Sequence, residues 1–112
     1  MKKDVITFPD FQKLDFRIGK VLRAENVSGA TSLIRMQVDL GEEYGKVNIL
    51  AGIGKWYTVD KLKGKKFIFV ANLAPKKMMK EESQGMMLAA DVNGQAILLP
   101  VEENIAPGAV VR

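Results

Sequence analysis

Ser32-Leu33-Ile34-Arg35-Met36-Gln37-Val38-Asp39-Leu40 carries an unbroken alternation of apolar and polar residues from Ile34 onward. Successive side chains of an extended chain face opposite sides, so Ile34, Met36, Val38 and Leu40 share one face and Arg35, Gln37 and Asp39 the other. A period of two predicts a half-buried strand. The next stretch, Leu40-Gly41-Glu42-Glu43-Tyr44-Gly45, turns the chain, and Val47, Ile49 and Ala51 then alternate with Lys46, Asn48 and Leu50. That pattern predicts a third strand paired with the second as a hairpin. Upstream, Arg17–Glu25 reads as a first strand, in which Gly19 marks a bulge or the sharp bend that a small barrel needs to close.

Downstream, Trp56–Lys63 breaks the alternation. Thr58 suits an N-cap, Asp60 a first turn and Gly64 an end, predicting a short helix. Phe67-Ile68-Phe69-Val70-Ala71 is a continuous apolar run, as in a central buried strand. Asn72–Gly85 reads as a lysine-bearing loop, followed by strands at Met86–Ala90 and Gln95–Leu99 around the hairpin dipeptide Asn93-Gly94. At the N-terminus, Thr7 and Asp10 form an Asp variant of a capping box, predicting a helix over residues 8–14. That helix lays Phe8, Phe11 and Leu14 on the barrel or on a partner subunit. The order strand, strand, strand, helix, strand, strand is that of an all-β, five-stranded Greek-key barrel with a short capping helix and an extra strand, the OB-fold.

The 112 residues suffice for one core-bearing domain, 1–112, and not for two. With 47% hydrophobic and 27% charged residues, disordered and membrane classes are excluded. No apolar run approaches the roughly 20 residues of a membrane span. Met1-Lys2-Lys3 has no apolar segment behind it, so it is not a secretory signal. The chain has no cysteine and no histidine. Disulfides, thiolate or imidazole metal sites and His-based relays are therefore excluded, and a cytoplasmic location is expected. The adjacent acids Glu42-Glu43, Glu81-Glu82 and Glu102-Glu103 point to opposite faces when extended, and read as solvated loop charge. Ala51-Gly52-Ile53-Gly54-Lys55 lacks the third glycine and long helix of a nucleotide site; its glycines read as the bend that ends strand three. No catalytic residue, metal site or cofactor is expected.

Net charge is +4, unevenly spread. Residues 55–80 hold Lys55, Lys61, Lys63, Lys65, Lys66, Lys76, Lys77 and Lys80 against Asp60 alone, which is +7 and leaves −3 for the rest. Such asymmetry fits an anionic partner docking on one side, or lysines that simply decorate turns. Aromatics are few and mostly in apolar contexts, which disfavours an aromatic platform for single strands and suits a folded RNA held by its phosphates.

Four segments, in order, resemble one known family. Asp10-Phe11-Gln12-Lys13-Leu14-Asp15-Phe16-Arg17-Ile18-Gly19-Lys20-Val21 resembles D-F-x-K-[VL]-D-[LF]-R-[VI]-G-K-[VI]. Val38-Asp39-Leu40-Gly41 is similar to a V-D-L-G strand end. Gly64-Lys65-Lys66 through Ala71-Asn72-Leu73-Ala74-Pro75-Lys76-Lys77-Met78 resembles G-K-x-V-V-V-V-A-N-L-x-P-[KA]-K-[LM]. Ser83-Gln84-Gly85-Met86-Met87-Leu88-Ala89-Ala90 is similar to S-Q-G-M-[LI]-L-A-A. The family is the tRNA-binding OB-fold domain of methionyl-tRNA synthetases, found as a C-terminal domain, a β subunit or a freestanding structure-specific tRNA-binding protein.

The resemblance implies a non-catalytic homodimer that binds tRNA by shape, uses its C-terminal extension in dimerisation and serves a methionyl-tRNA synthetase catalytic subunit. Met1 at the start favours the freestanding form. The implied RNA-binding residues are Ser83, Gln84, Gly85 and Met86, with Lys76, Lys77 and Lys80 as charge contacts. Ser83 would hydrogen-bond a phosphate or sugar, and Gly85 would let backbone approach the RNA. Where the family often reads H-P-N-A-D-K-L, this chain has Val27-Ser28-Gly29-Ala30-Thr31-Ser32-Leu33. Ser32 thus replaces a lysine, and Arg35 and Lys20 are the cations placed to compensate. The family also has an export-related chaperone branch lacking S-Q-G-M, so a dimeric protein-binding module is the alternative.

Overall fold

A computed structural model describes residues 1–112. Its element order is α1 (Phe8–Gln12), β1 (Phe16–Asn26), β2 (Ile34–Asp39), β3 (Lys46–Ala51), α2 (Val59–Leu62) and β4 (Lys66–Val70). It continues with β5 (Lys76–Met78), β6 (Glu81–Ser83), β7 (Met86–Met87), β8 (Ala89–Val92), β9 (Gln95–Leu98) and β10 (Val110–Val111). The main sheet runs β3-β2-β1-β4-β7, with β10 also paired to β1. No helix is long and apolar enough to cross a membrane.

The alternating residues fill the interior: Ile34, Met36, Val38, Leu40 and Ile49 are fully buried with Val21, Leu62 and Phe69. Leu62 carries α2 into this cluster, and Trp56 and Tyr57 pack against it. Gly19 does not make a bulge. A Cβ there would lie 2.6–2.8 Å from Val38, Phe69 and Leu40, so glycine leaves room for three core side chains. The bulge is three residues on, where the β1–β2 register shifts between Val21 and Arg23. Leu50, assigned to the polar face by alternation, is also buried.

Side chains complete the barrel between its two ends. β3 uses one edge for β2, leaving Asn48 and Leu50 to find partners on the other. The Asn48 carbonyl accepts from the Gln84 N–H (2.7 Å), while its own N–H donates to Gln84 Oε1 (3.0 Å). Asn48 Nδ2 donates to the Glu82 carbonyl (2.7 Å), and the Leu50 N–H donates to Ser83 Oγ (3.0 Å). The Asn48 and Leu50 donors on that edge of β3 are thereby satisfied without a regular ladder.

Three expectations change. The N-terminal helix stops at Gln12, capped by Thr7, whose Oγ1 accepts from the Asp10 N–H (3.3 Å), and it leaves Phe8 and Leu14 exposed. Asn72–Gly85 is largely a hairpin, β5–β6, rather than a loop. Met86–Ala90 is split, because Met86–Met87 pairs with β4 while Ala89–Val92 pairs with β9 through Asn93-Gly94. Asn93 and Gly94 both have positive φ (54° and 83°), as a two-residue hairpin turn of this hand requires.

An ionic knot ties the chain ends to the barrel. Arg17 donates to Asp15 (2.7 and 3.2 Å), Glu43 (3.0 Å) and the Gly108 carbonyl (3.1 Å). The Tyr44 hydroxyl donates to Asp15 (2.5 Å). The Arg17 hydrogen bond, ahead of that from Tyr44, holds the Asp15 carboxyl below its ordinary value, and bonding to Asp15 raises Tyr44. Asn72 adds a backbone clamp: its Oδ1 accepts from the Asp15 N–H (2.9 Å) and its Nδ2 donates to the Lys13 carbonyl (2.6 Å).

Candidate nucleic-acid interface

The β5–β6 hairpin sets Lys76 opposite Ser83, Lys77 opposite Glu82 and Met78 opposite Glu81. Met79 and Lys80 form the two-residue turn, both at positive φ (52° and 68°). This hand matches strand twist, but the positions are occupied by side chains that rarely adopt it. Lys76, Lys77 and Lys80 are exposed, and none lies within ion-pair distance of a carboxylate. The hairpin therefore presents three exposed lysines outside any ion pair, with Glu82 opposite Lys77.

Arg35, on the outer face of β2, reaches this hairpin but is neutralised there. It is bonded to Glu81 of β6 and to Glu25 of β1 (3.2 Å), which raises its pKa above the ordinary guanidinium value, Glu25 most strongly. It acts as a strut between barrel wall and hairpin rather than as a free cation. The hairpin tip also meets the loop between β1 and β2: a Cβ built on Gly29 would touch the Met79 methyl at 3.7 Å. Ser32 in that loop is tied to the connection after β3, its carbonyl accepting from the Gly54 N–H (2.8 Å). A Cβ on Gly54 would lie 2.9 Å from the Ser32 carbonyl oxygen, which accounts for this glycine without any phosphate.

Ser83-Gln84-Gly85-Met86 divides between fold and surface. Ser83 is 3% exposed; its hydroxyl accepts from Leu50 and donates to the Gly85 carbonyl (3.0 Å), so it has no surface to offer a phosphate. Gly85 faces inward, where a Cβ would lie 3.0 Å from the Val70 carbonyl oxygen and 3.3 Å from Ile49. Its lack of a side chain leaves room for β3 and β4. Gln84 is exposed and half-committed to Asn48, and Met86 is 53% exposed. Lys20 lies elsewhere, directly opposite Lys66 on β4.

Lys76, Lys77, Lys80, Arg35 and Ser32 thus gather around the hairpin and the β1–β2 loop. The strut from Arg35 to Glu81 was not foreseen. Its one signal in the sequence is Lys76-Lys77-Met78 and Glu81-Glu82-Ser83 separated by two residues, a hairpin spacing without glycine or asparagine in its turn.

A small five-stranded barrel with an exposed lysine-bearing hairpin has the architecture of an OB-fold-like binding module. The chain belongs to the family described as "Putative tRNA binding domain", whose profile matches residues 16–110. It is similar to methionine–tRNA ligases of Methanothrix thermoacetophila (45% identity over 111 residues, 99% of this chain) and Thermotoga maritima (47% over 110, 98%). It spans only 16% and 17% of those ligases. Its fold matches that of a MetRS related protein from Pyrococcus horikoshii (TM-score 0.92, 37% identity, 98% of this chain and 100% of that one). It also matches the chaperone CsaA from Bacillus anthracis (TM-score 0.86, 30% identity, 97% and 100%).

Proposed function

We propose that residues 1–112 form one tRNA-binding unit that reads the shape of folded tRNA through phosphate contacts. It acts in the cytoplasm as a homodimer, delivering or retaining tRNA for a methionyl-tRNA synthetase catalytic subunit and raising the local tRNA concentration there. The observation that carries this reading is the trio Lys76, Lys77 and Lys80, exposed and outside any ion pair on a hairpin braced by Arg35 and Glu81. Gln84 and Met86 flank the same surface and are proposed as direct contacts, with Ser32 on the neighbouring loop. Ser83 and Gly85 are positioning residues that fix where the hairpin leaves the barrel.

Exposed apolar side chains support the dimer. Val5, Ile6, Phe8, Leu14 and Val110 are all solvent-facing in the single chain, and Phe8, Phe11 and Leu14 line a groove with Val110 and Val111. Apolar surface of this kind is ordinarily covered by a partner, and two-fold pairing is the commonest way to cover it.

The test is binding to refolded bulk tRNA over a salt series, with heat-denatured tRNA and duplex RNA as competitors. Five neutralised phosphates give a log K against log salt slope of roughly −4, at about 0.7–0.9 per contact. Salt-indifferent binding, or no preference for folded tRNA, removes the reading. A dimeric protein-binding module is the second reading, favoured by the likeness to the CsaA chaperone. It predicts capture of unfolded polypeptide that persists after nuclease treatment.

A further inference from the structure

The hairpin is not the only cationic surface. The register of β1 on β4 sets Lys20 directly opposite Lys66. Like charges facing each other across an antiparallel pair destabilise it, and Lys61 and Lys65 line the same groove. This groove, about 560 Å³, also includes Tyr57, Phe67 and Leu98. None of its four lysines is in an ion pair. Two acids lie nearby: Asp39, opposite Lys20 on β2, also accepts from the Gly41 N–H (2.9 Å), and Glu103 lines the groove and contributes its carbonyl to Lys66, so lysines outnumber acids there. Lys66 donates to the carbonyls of Glu103 (2.5 Å) and Ile105 (2.6 Å), which fixes the ammonium without neutralising it. Arg17 and Arg35, by contrast, are each held by two carboxylates. A fold that pairs those two cations with carboxylates while gathering four lysines in a groove lined by the single acid Glu103 keeps a local excess of positive charge that an external anion would offset.

The position of the groove indicates which anion. Lys20 pairs with Asp39, Arg23 with Gln37 and Glu25 with Arg35, so all lie on the outer face of β1 and β2. Lys20 is five residues from Glu25, roughly 16 Å along the strand at about 3.3 Å per residue. Exposed Arg23, also without an ion pair, stands between groove and hairpin strut. The groove therefore continues the hairpin surface along one barrel wall.

We propose that the Lys20–Lys61–Lys65–Lys66 groove is a second phosphodiester contact, occupied by the same RNA that docks on the β5–β6 hairpin. This rests on the tRNA-binding reading. Lys20, Lys61 and Lys65 contact phosphate, while Lys66 holds the 103–105 segment and contributes its charge.

The test compares the intact chain with Lys20→Ala/Lys61→Ala/Lys65→Ala and, separately, Lys76→Ala/Lys77→Ala. Each is titrated with refolded bulk tRNA across a salt series, and the thermal midpoint of each free protein is recorded. The groove variant is expected to lose at least about tenfold in affinity at low salt and to flatten the slope by about 2, at 0.7–0.9 per lost contact. Its midpoint should hold or rise as the repulsion is removed. Unchanged affinity and slope in the groove variant, while the hairpin variant loses both, overturns the groove and leaves tRNA binding standing. No tRNA binding by the unsubstituted protein overturns both. Should the triple variant melt early, Lys61→Glu at the exposed position of α2 decides the matter: reduced affinity supports the groove, and unchanged affinity overturns it.

Discussion

Ser83 shows at the scale of one residue how a motif can be required without touching a ligand. Its hydroxyl answers the Leu50 N–H and the Gly85 carbonyl inside the barrel seam. Ser83→Ala leaves that buried donor unpaired, at a cost of about 1–3 kcal/mol in denaturant unfolding. A positioning role predicts that the folded variant keeps the wild-type salt slope for tRNA; a contact role predicts a weaker hold at every salt concentration. Asp15 supplies a second residue-scale prediction. Its carboxyl, 26% exposed and bonded to Arg17 and Tyr44, titrates below its ordinary value of 3.8. Near that pH the unfolded chain binds more protons than the native one, so stability rises with pH. The contribution is complete above 3.8 and is lost as pH falls through the lower native value. The difference in thermal midpoint between wild type and Asp15→Asn should therefore be constant near neutrality and narrow in acid. A gap that ignores pH would mean the ionic knot is held by shape alone.

At the scale of elements, the β5–β6 hairpin joins strain to function. Met79 and Lys80 occupy two positive-φ positions that asparagine and glycine adopt more readily. Met79→Asn/Lys80→Gly should raise the stability of the chain by about 1 kcal/mol, within the usual cost of one or two such conformations. It should also weaken tRNA binding through the lost Lys80 charge, seen as a slope shallower by about 0.7–0.9. Greater stability with unaltered binding would place Lys80 outside the interface. Lys76→Ala/Lys77→Ala, on strand rather than turn, should weaken binding across all tRNAs alike, since phosphate contacts carry no sequence information.

The whole molecule combines a closed interior with an open apolar end. Val5, Ile6, Phe8, Leu14 and Val110 cluster in chain terms at the two ends of the sequence, where β10 pairs with the start of β1. If a second copy covers this surface, Phe8→Asp should convert a dimer to a monomer in light scattering, because a buried carboxylate without a partner is costly to desolvate. An unchanged mass would leave the N-terminal helix outside the interface. Loss of the dimer should also lower the avidity for tRNA without changing the slope expected per site.

The linear chain by itself determined the barrel's interior and its order. Period-two alternation at Ile34–Leu40 and Val47–Ala51 is a local property, and burial follows from it wherever a sheet has one covered face. The short helix after Trp56 and the Asn93-Gly94 turn were legible for the same reason: each is set by its own few residues. So was the lysine-rich character of residues 55–80, although not which lysines face one another. Tertiary structure alone decided what joins across long separations. The seam from Asn48 and Leu50 to Gln84 and Ser83, the room Gly19 leaves for Phe69, the strut from Arg35 to Glu81 and the apposition of Lys20 with Lys66 pair residues 33 to 50 positions apart. No periodicity encodes such pairs, because they depend on strand register and barrel closure. Those same pairings turned Ser83 and Gly85 inward and left Lys76, Lys77 and Lys80 exposed and outside any ion pair.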